Sequence, residues 1–166
     1  MDWLVEEDLR RFGRDGYLVV RDIVPEPLLA AGGSDAPASF TLLAAVFLTD
    51  QRASRSGNLW VWPGSHLDHQ RLFLDRGTDA LKATGGHATL LHPPVRLSAP
   101  VEVKGGRGDL LLAHFLLGHN KGGNTGPQVR RTIYYRLAVP GHAQRWASTF
   151  LDPWTEYLPV RRALAA

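Results

Sequence analysis

The sequence predicts a mainly β domain, a sandwich or jelly roll, with helices at its flanks. Short apolar runs separated by glycine- and proline-rich turns recur along the chain, a pattern typical of all-β sandwiches and jelly rolls. The 166 residues suffice for a single domain, 1–166, with a sizeable core. Hydrophobic residues make up 44% of the chain and charged residues 21%, as in ordinary globular proteins.

The composition excludes several function classes. The sequence contains no cysteine, which rules out disulfides, thiolate zinc sites and cysteine nucleophiles. The net charge of +3 comes with arginines scattered along the chain, so nucleic-acid binding has little support. No stretch approaches the roughly 20 apolar residues of a membrane helix, and the N-terminus lacks the apolar core of a signal peptide. We therefore expect a cytoplasmic protein that binds neither nucleic acid nor membrane.

The first half of the chain predicts an amphipathic helix followed by strands. Residues 3–14 place apolar side chains at helical spacing, with acidic residues early and arginines late, and Gly16 ends this helix. A helix that starts near Pro25 is interrupted by the turn-forming residues 32–39. Strands are predicted at residues 17–22, 40–48 and 58–62, the second of them continuously apolar and buried on both faces.

The second half predicts two strands around a histidine-bearing turn and a glycine-rich loop. These strands cover residues 110–117 and 129–137, and we expect the chain to run out along one and return along the other. His119 and Arg130 would then lie on adjacent strands. Around this unit we expect a helix near 72–81, a loop at 85–94, a short strand at 101–104 and an aromatic-rich tail at 144–166 that packs as helix or irregular cover.

Alternation along residues 129–137 sorts the last strand into two faces. Arg130, Thr132, Tyr134 and Arg136 share a polar and aromatic side, which suits a pocket wall or solvent, whereas the opposite side is mostly apolar and suits the core. The rigid fork of Arg130 suits a carboxylate, and the hydroxyl of Thr132 lies on the same face. His119 precedes Arg130 by eleven positions and is a candidate metal ligand.

Three stretches resemble one known family. Residues 108–137, GDLLLAHFLLGHNKGGNTGPQVRRTIYYRL, resemble the C-terminal half of the phytanoyl-CoA dioxygenase (PhyH-like) family of Fe(II)/2-oxoglutarate oxygenases. Residues 56–66, SGNLWVWPGSH, are similar to its NG-x-L-x-x-x-PGSH segment, with glycine and asparagine in reverse order. Residues 12–22, FGRDGYLVVRD, resemble its F-x-x-DGY opening.

The resemblance implies a double-stranded β-helix (jelly roll, cupin-like) with flanking helices. It also implies an Fe(II)/2-oxoglutarate-dependent dioxygenase that uses O₂ to hydroxylate a small organic substrate. On this basis His119 is the last iron ligand and Arg130 binds the 2-oxoglutarate carboxylate, with Thr132 as a second contact. The substrate and the oligomeric state stay open.

Other polar and aromatic residues are weaker candidates. His66 and Asp68 form a His-x-Asp pattern, but the family's ligand pair precedes the PGSH segment, so we do not assign them to iron. His114 alternates with leucines and is expected to be a packed core histidine. Asn124 is expected to be a loop residue. Tyr134 and Trp62 are candidates for pocket or core, and we favour core.

The sequence lacks the family's first two iron ligands. No histidine occurs between residues 25 and 39, and Asp35 is the only aspartate there. A single histidine cannot hold catalytic Fe(II) in water. Either further residues belong near 31–40, or the protein is shortened and is a non-catalytic jelly-roll binding module that has lost iron. We favour the first explanation. A hydrolase has less support, since Gly64-Ser65-His66 lacks the Gly-x-Ser-x-Gly elbow.

Overall fold

A computed structural model of the chain describes residues 4–21, 23, 40–78, 80 and 95–166. Strands in this part of the chain are β1 (Tyr17–Val20), β2 (Leu42–Phe47), β3 (Leu59–Val61), β4 (Val101–Glu102), β5 (Leu110–His114), β6 (His119–Lys121) and β7 (Thr132–Leu137). Helices are α1 (Glu6–Asp15), α2 (Ser65–Arg76), α3 (His142–Leu151) and α4 (Leu158–Ala165). The predicted helix near residue 25, the loop at 85–94 and the segment 31–39 lie outside the described residues.

The strands form two antiparallel sheets. One sheet has the order β1-β5-β2-β7 and the other has the order β4-β3-β6. The prediction that the last two long strands are adjacent is therefore wrong: β2 pairs with both β5 and β7 and separates them. Since β1 and β2 already occupy the two edges of β5, the chain crosses to the other sheet at β6 before it returns as β7.

The main apolar core lies between the two sheets. Its buried side chains come from both sheets and from neighbouring segments, namely Leu43, Ala45, Phe47, Leu59, Val61, Val103, Leu111, Ala113 and Leu117. A second cluster, with Phe12, Leu18, Tyr157 and Val160, packs α1 and the α4 region against the outer face of the four-stranded sheet. Because β2 lies between these clusters, the predicted burial of this strand on both faces is confirmed.

The helices flank the sheets, as the sequence predicts. α2 begins directly at Ser65, earlier than the predicted start near residue 72, because Gly64 adopts the left-handed conformation (φ 81°) that turns the chain. The tail forms α3 and α4. Antiparallel sheets with flanking helices are thus confirmed, although the helices contain more residues than the strands. No described helix is long and apolar enough to cross a membrane.

Gly16 joins α1 to β1 in a position where any side chain is unfavourable. Its φ of 81° is left-handed, its N–H donates to the Phe12 carbonyl over 2.8 Å, and a Cβ there would lie 2.6 Å from His66 Nδ1. Gly64 has the same φ of 81°, but its nearest neighbour to a Cβ is the Arg14 carbonyl oxygen at 4.0 Å. The two glycines therefore have the same left-handed backbone conformation, but only Gly16 lacks room for a Cβ.

We expect Gly16→Ala to lower the free energy of unfolding more than Gly64→Ala does. Each substitution costs about 1–2 kcal/mol for left-handed backbone. Gly16→Ala adds the overlap with the fully buried His66 ring, for roughly 1–3 kcal/mol more. Urea unfolding of both variants measures the difference, and equal losses would contradict this packing account.

Candidate functional site

Arg130 lies just before β7, and its side chain is half-buried against Gly57. Gly57 has φ 77°, and a Cβ there would lie 3.0 Å from Arg130 Cδ and 3.2 Å from Arg130 Cβ. A glycine at this position therefore provides both the turn and the space for the stem of Arg130. Asn58, the next residue, is fully buried.

Gln51 connects Arg130 to Thr132. It follows β2 and is 0% exposed. Its Oε1 accepts from Arg130 Nε over 3.3 Å, and its Nε2 donates to Thr132 Oγ1 over 2.9 Å. The backbone of Gln51 is fixed as well: its N–H donates to the Gly105 carbonyl over 2.8 Å, and its carbonyl accepts from Asn58 Nδ2 over 2.6 Å. The structure thus brings the two predicted carboxylate-binding residues together.

Tyr134 completes this cluster. Its hydroxyl accepts from Arg130 Nη2, and the guanidinium carbon lies 5.5 Å from the ring centroid. Burial raises the pKa of Tyr134 above its usual value, and the charge of Arg130 opposes this. We name Gln51, Arg130, Thr132 and Tyr134 the donor cluster. Tyr134 is not the core residue that the sequence favours, since it is 39% exposed and contacts Arg130.

The register of β7 sets the direction of the donor cluster. Thr132 lies opposite Phe47, and Tyr134 lies opposite Ala45. Directly opposite residues share a face, so both project to the side of the inter-sheet core. The polar face of this strand therefore suits the predicted pocket wall. Its other face is less buried than predicted, with Leu137 47% exposed, because β7 is the last strand of its sheet within the described residues.

A cavity of about 440 Å³ lies beside Arg130. It is bounded by two loops, residues 49–56 after β2 and residues 124–130 before β7. Its lining combines apolar and polar surface, and the polar side chains come from Thr49, Asp50, Ser54, Ser56, Asn124, Thr125, Gln128 and Arg130. A volume of this size is typical of small-molecule pockets. Arg130 therefore belongs both to the donor cluster and to the wall of a cavity.

His119 is the first residue of β6 and is exposed. Its Nδ1 lies 2.8 Å from the Leu117 carbonyl oxygen. Since a carbonyl only accepts, Nδ1 carries a proton, and in the neutral ring Nε2 has the lone pair that a ligand could use. His119 lies opposite the buried Val61, so its side chain leaves the sheet on the core side. Its orientation is compatible with the predicted metal ligand.

His119 and Arg130 lie at opposite ends of the pairing between residues 56–61 and residues 119–124. The ladder between β3 and β6 starts at the pair Val61–His119 and continues to a bridge between Ser56 and Asn124. Arg130 packs beside that far end, on Gly57. The two residues are thus related through this ladder rather than through adjacent strands.

Asn124 is a loop residue, as expected. Its Oδ1 accepts from the Gly126 N–H over 3.0 Å, and its Nδ2 donates to the Gln128 carbonyl over 2.7 Å. Both bonds hold the glycine-rich loop before Arg130 in shape. Both polar groups of the Asn124 side chain are therefore used in hydrogen bonds within the loop.

A complete metal site does not occur within the residues that the structure describes. None of their histidine, aspartate and glutamate side chains form a group of three that could hold a metal. A catalytic iron of this class needs two histidines and one carboxylate, and the predicted ligand His119 would be only one of the three. The described residues therefore do not fit an iron centre by themselves, and Asp35 lies outside them.

His66 and Asp68 are not metal ligands in this arrangement. His66 is fully buried, its Nε2 lies 3.0 Å from the Gly13 carbonyl, and burial lowers its pKa. Asp68 lies in the first turn of α2 and pairs with Arg71 at 2.9 Å. Both residues of this His-x-Asp pattern lie in α2, where His66 packs inward against α1.

His114 is a packed core histidine, as predicted. It is 1% exposed and stacks on Tyr157 with ring centroids 5.1 Å apart. Its Nδ1 accepts from the Leu116 N–H over 3.1 Å, and its Nε2 lies 3.2 Å from the Pro153 carbonyl. The pKa of His114 is lowered to about 3, chiefly by burial and to a smaller extent by the nearby His66. Both ring nitrogens are occupied, which leaves none for a metal.

Gln51 and Asn58 are not among the candidate residues that the sequence indicates. Gln51 lies in the polar stretch 50–56, which indicates a loop, and Asn58 is the first residue of the predicted strand 58–62. The structure buries both amides completely. The sequence signal for these residues is their position, because Gln51 follows the buried strand β2 within a few residues and Asn58 directly precedes β3.

The similarity of this chain to known proteins is found in its structure. No family model and no curated protein matches the sequence. The carbocyclase SnoK from nogalamycin biosynthesis, a non-haem α-ketoglutarate-dependent enzyme, aligns with 86% of this chain and 90% of its own at 16% identity and a TM-score of 0.51. The corresponding epimerase SnoN aligns with 80% and 82% at 16% identity and a TM-score of 0.53. The chain shares the fold of these enzymes.

A third structure carries ligands. HygX from Streptomyces hygroscopicus, with nickel and 2-oxoglutarate bound, aligns with 79% of this chain and 85% of its own at 13% identity and a TM-score of 0.50. At these identities the likeness concerns the fold. The fold is therefore one on which other chains bind a metal and 2-oxoglutarate.

The buried His114 predicts a pH-dependent stability. Its folded pKa of about 3 lies below its ordinary value of 6.5, so below pH 6.5 the unfolded chain binds a proton that the folded chain excludes. We expect His114 to lower the free energy of unfolding by roughly 2 kcal/mol between pH 7 and pH 5.

Urea unfolding at both pH values tests this contribution. His114→Phe should reduce the pH dependence by that amount. An identical pH dependence in His114→Phe and the parent protein would contradict the assignment.

Proposed function

We propose that this chain is an Fe(II)/2-oxoglutarate-dependent dioxygenase of the PhyH-like family that hydroxylates a small organic substrate. The observation that carries the proposal is the donor cluster, a buried amide that holds Arg130 and Thr132 together on the core side of β7. The fold, read as a double-stranded β-helix, and the two non-haem enzymes that share it support this function. The expected cytoplasmic location stays a prediction.

Arg130 and Thr132 are proposed to bind the distal carboxylate of 2-oxoglutarate. Two guanidinium nitrogens of Arg130 are used within the cluster, Nε by Gln51 and Nη2 by Tyr134. Within the described part of the chain this leaves Nη1 for a carboxylate oxygen, and the Thr132 hydroxyl lies on the same face. Charge-assisted hydrogen bonds of this kind are among the stronger ones in proteins.

Iron would take His119 Nε2 and would supply the activation of O₂. Two more ligands are required, and the residues with described positions do not provide them. The proposal therefore requires two further ligands from outside the described residues. The role of His119 is therefore to hold metal, with its Nδ1–H fixed by the Leu117 carbonyl.

The cavity beside Arg130 supports a small polar substrate. Its hydroxyl and amide lining offers hydrogen bonds to a polar small molecule, and its volume of about 440 Å³ suits one. The shared location of Arg130 places this cavity next to the proposed cosubstrate site. The identity of the substrate stays open.

A second candidate function is a non-catalytic binding module that keeps the carboxylate site without iron. The lack of a three-ligand group among the described residues favours it. The donor cluster is common to both functions, so carboxylate binding does not separate them. Metal binding and turnover do.

Arg130→Gln should weaken 2-oxoglutarate binding by about 10- to 100-fold, because it removes a charged donor from the carboxylate. Arg131→Gln is the matched control: the neighbouring arginine is exposed and lies outside the donor cluster, so its loss should leave the affinity unchanged. Calorimetric or NMR titration measures both affinities. Equal affinities of the two variants would contradict the role of Arg130.

Fe(II) titration of the full chain separates the two candidate functions. The oxygenase requires Fe(II) binding and formation of succinate from 2-oxoglutarate, and His119→Ala should abolish both, whereas Asn120→Ala, the neighbouring control, should keep them. A parent protein that binds 2-oxoglutarate but neither binds Fe(II) nor forms succinate is the iron-free module.

A further inference from the structure

We propose that Gln51 is a positioning residue that keeps the Thr132 hydroxyl free to donate beside the Arg130 guanidinium, and so selects a ligand that ends in a second carboxylate. The inference rests on the proposed binding of 2-oxoglutarate and adds the source of its specificity. It concerns the orientation of one buried amide.

The chemistry of its neighbours fixes the orientation of the Gln51 amide. Arg130 Nε can only donate, so the group that lies 3.3 Å from it must be the amide oxygen. The amide nitrogen therefore faces Thr132 and donates to its Oγ1 over 2.9 Å. The reverse orientation would put two donors against each other at Arg130.

This orientation determines which atoms a ligand meets. Thr132 Oγ1 already accepts from Gln51, so its own proton points elsewhere and can be donated. The Tyr134 hydroxyl accepts from Arg130 Nη2, so its proton is available in the same way. With Arg130 Nη1, three donors and one positive charge are offered together. A carboxylate, which accepts only, matches this set, whereas a neutral or apolar end does not.

Gln51 cannot easily adopt another arrangement. It is 0% exposed, and its backbone is held by Gly105 and by Asn58 Nδ2. The same Asn58 amide nitrogen contacts the Val103 carbonyl at 3.2 Å, and Asn58 Oδ1 accepts from the Ser56 N–H over 2.9 Å. Rotation of the Gln51 amide would leave buried polar groups without partners, which is costly.

Gln51→Glu tests the inference at nearly constant shape. A glutamate accepts from both Arg130 and Thr132, so it would consume the Thr132 proton and neutralise the guanidinium charge. Gln51→Met, of similar size, removes both hydrogen bonds without adding charge. The probes are 2-oxoglutarate and 2-oxopentanoate, which has the same carbon chain but lacks the distal carboxylate.

NMR titration of the full chain gives the ratio of the two dissociation constants. We expect the parent protein to prefer 2-oxoglutarate by about tenfold or more. Gln51→Glu should reduce the ratio to about one, and Gln51→Met should give an intermediate value. A merely structural role would weaken both probes equally and keep the ratio, and a parental ratio in folded Gln51→Glu would overturn the inference.

A second pair of variants keeps the test decisive if Gln51→Glu does not fold. Thr132→Ser retains the oriented hydroxyl and should keep the parental ratio, whereas Thr132→Val should lower it. A parental ratio in Thr132→Val would overturn the inference. A parent protein that does not distinguish the two probes would instead refute the proposed carboxylate site itself.

Discussion

Two buried amides connect the sheets at the end of the molecule that carries Arg130. Asn58 bonds the carbonyls of Gln51 and Val103, and Gln51 bonds Arg130 and Thr132. Buried polar groups are stable only when they are hydrogen-bonded, so this arrangement is nearly fixed once both amides are inside. The geometry of the candidate site follows from the requirement to satisfy them.

The antiparallel register determines on which face of the sheet these hydrogen-bonded side chains lie. β7 is paired on one side by β2, which places Thr132 and Tyr134 on the same face as core residues. The crossing of the chain through β6 places His119 on the core side of the other sheet. Polar side chains of β7 thus border the apolar interior without interrupting it.

Much of this fold could be predicted from the sequence. The apolar run of β2, the amphipathic α1 ended by Gly16 and the alternation along β7 are local patterns, and each lies where the sequence places it. The pairing of strands could not be predicted in this way. The position of β2 between β5 and β7 depends on which edges are already occupied, and that is a property of the whole sheet.

The sequence by itself determined which residues are candidates for chemistry here: an arginine and a threonine on one face of a predicted strand, a histidine before them, and no cysteine. Only the tertiary structure decided that Gln51, within an apparently solvated loop, is buried and joins Arg130 to Thr132. It also decided that His66 and His114 belong to the core. The physical reason is that burial and hydrogen-bond partners come from residues distant in sequence, whereas periodicity reports only on neighbours along the chain.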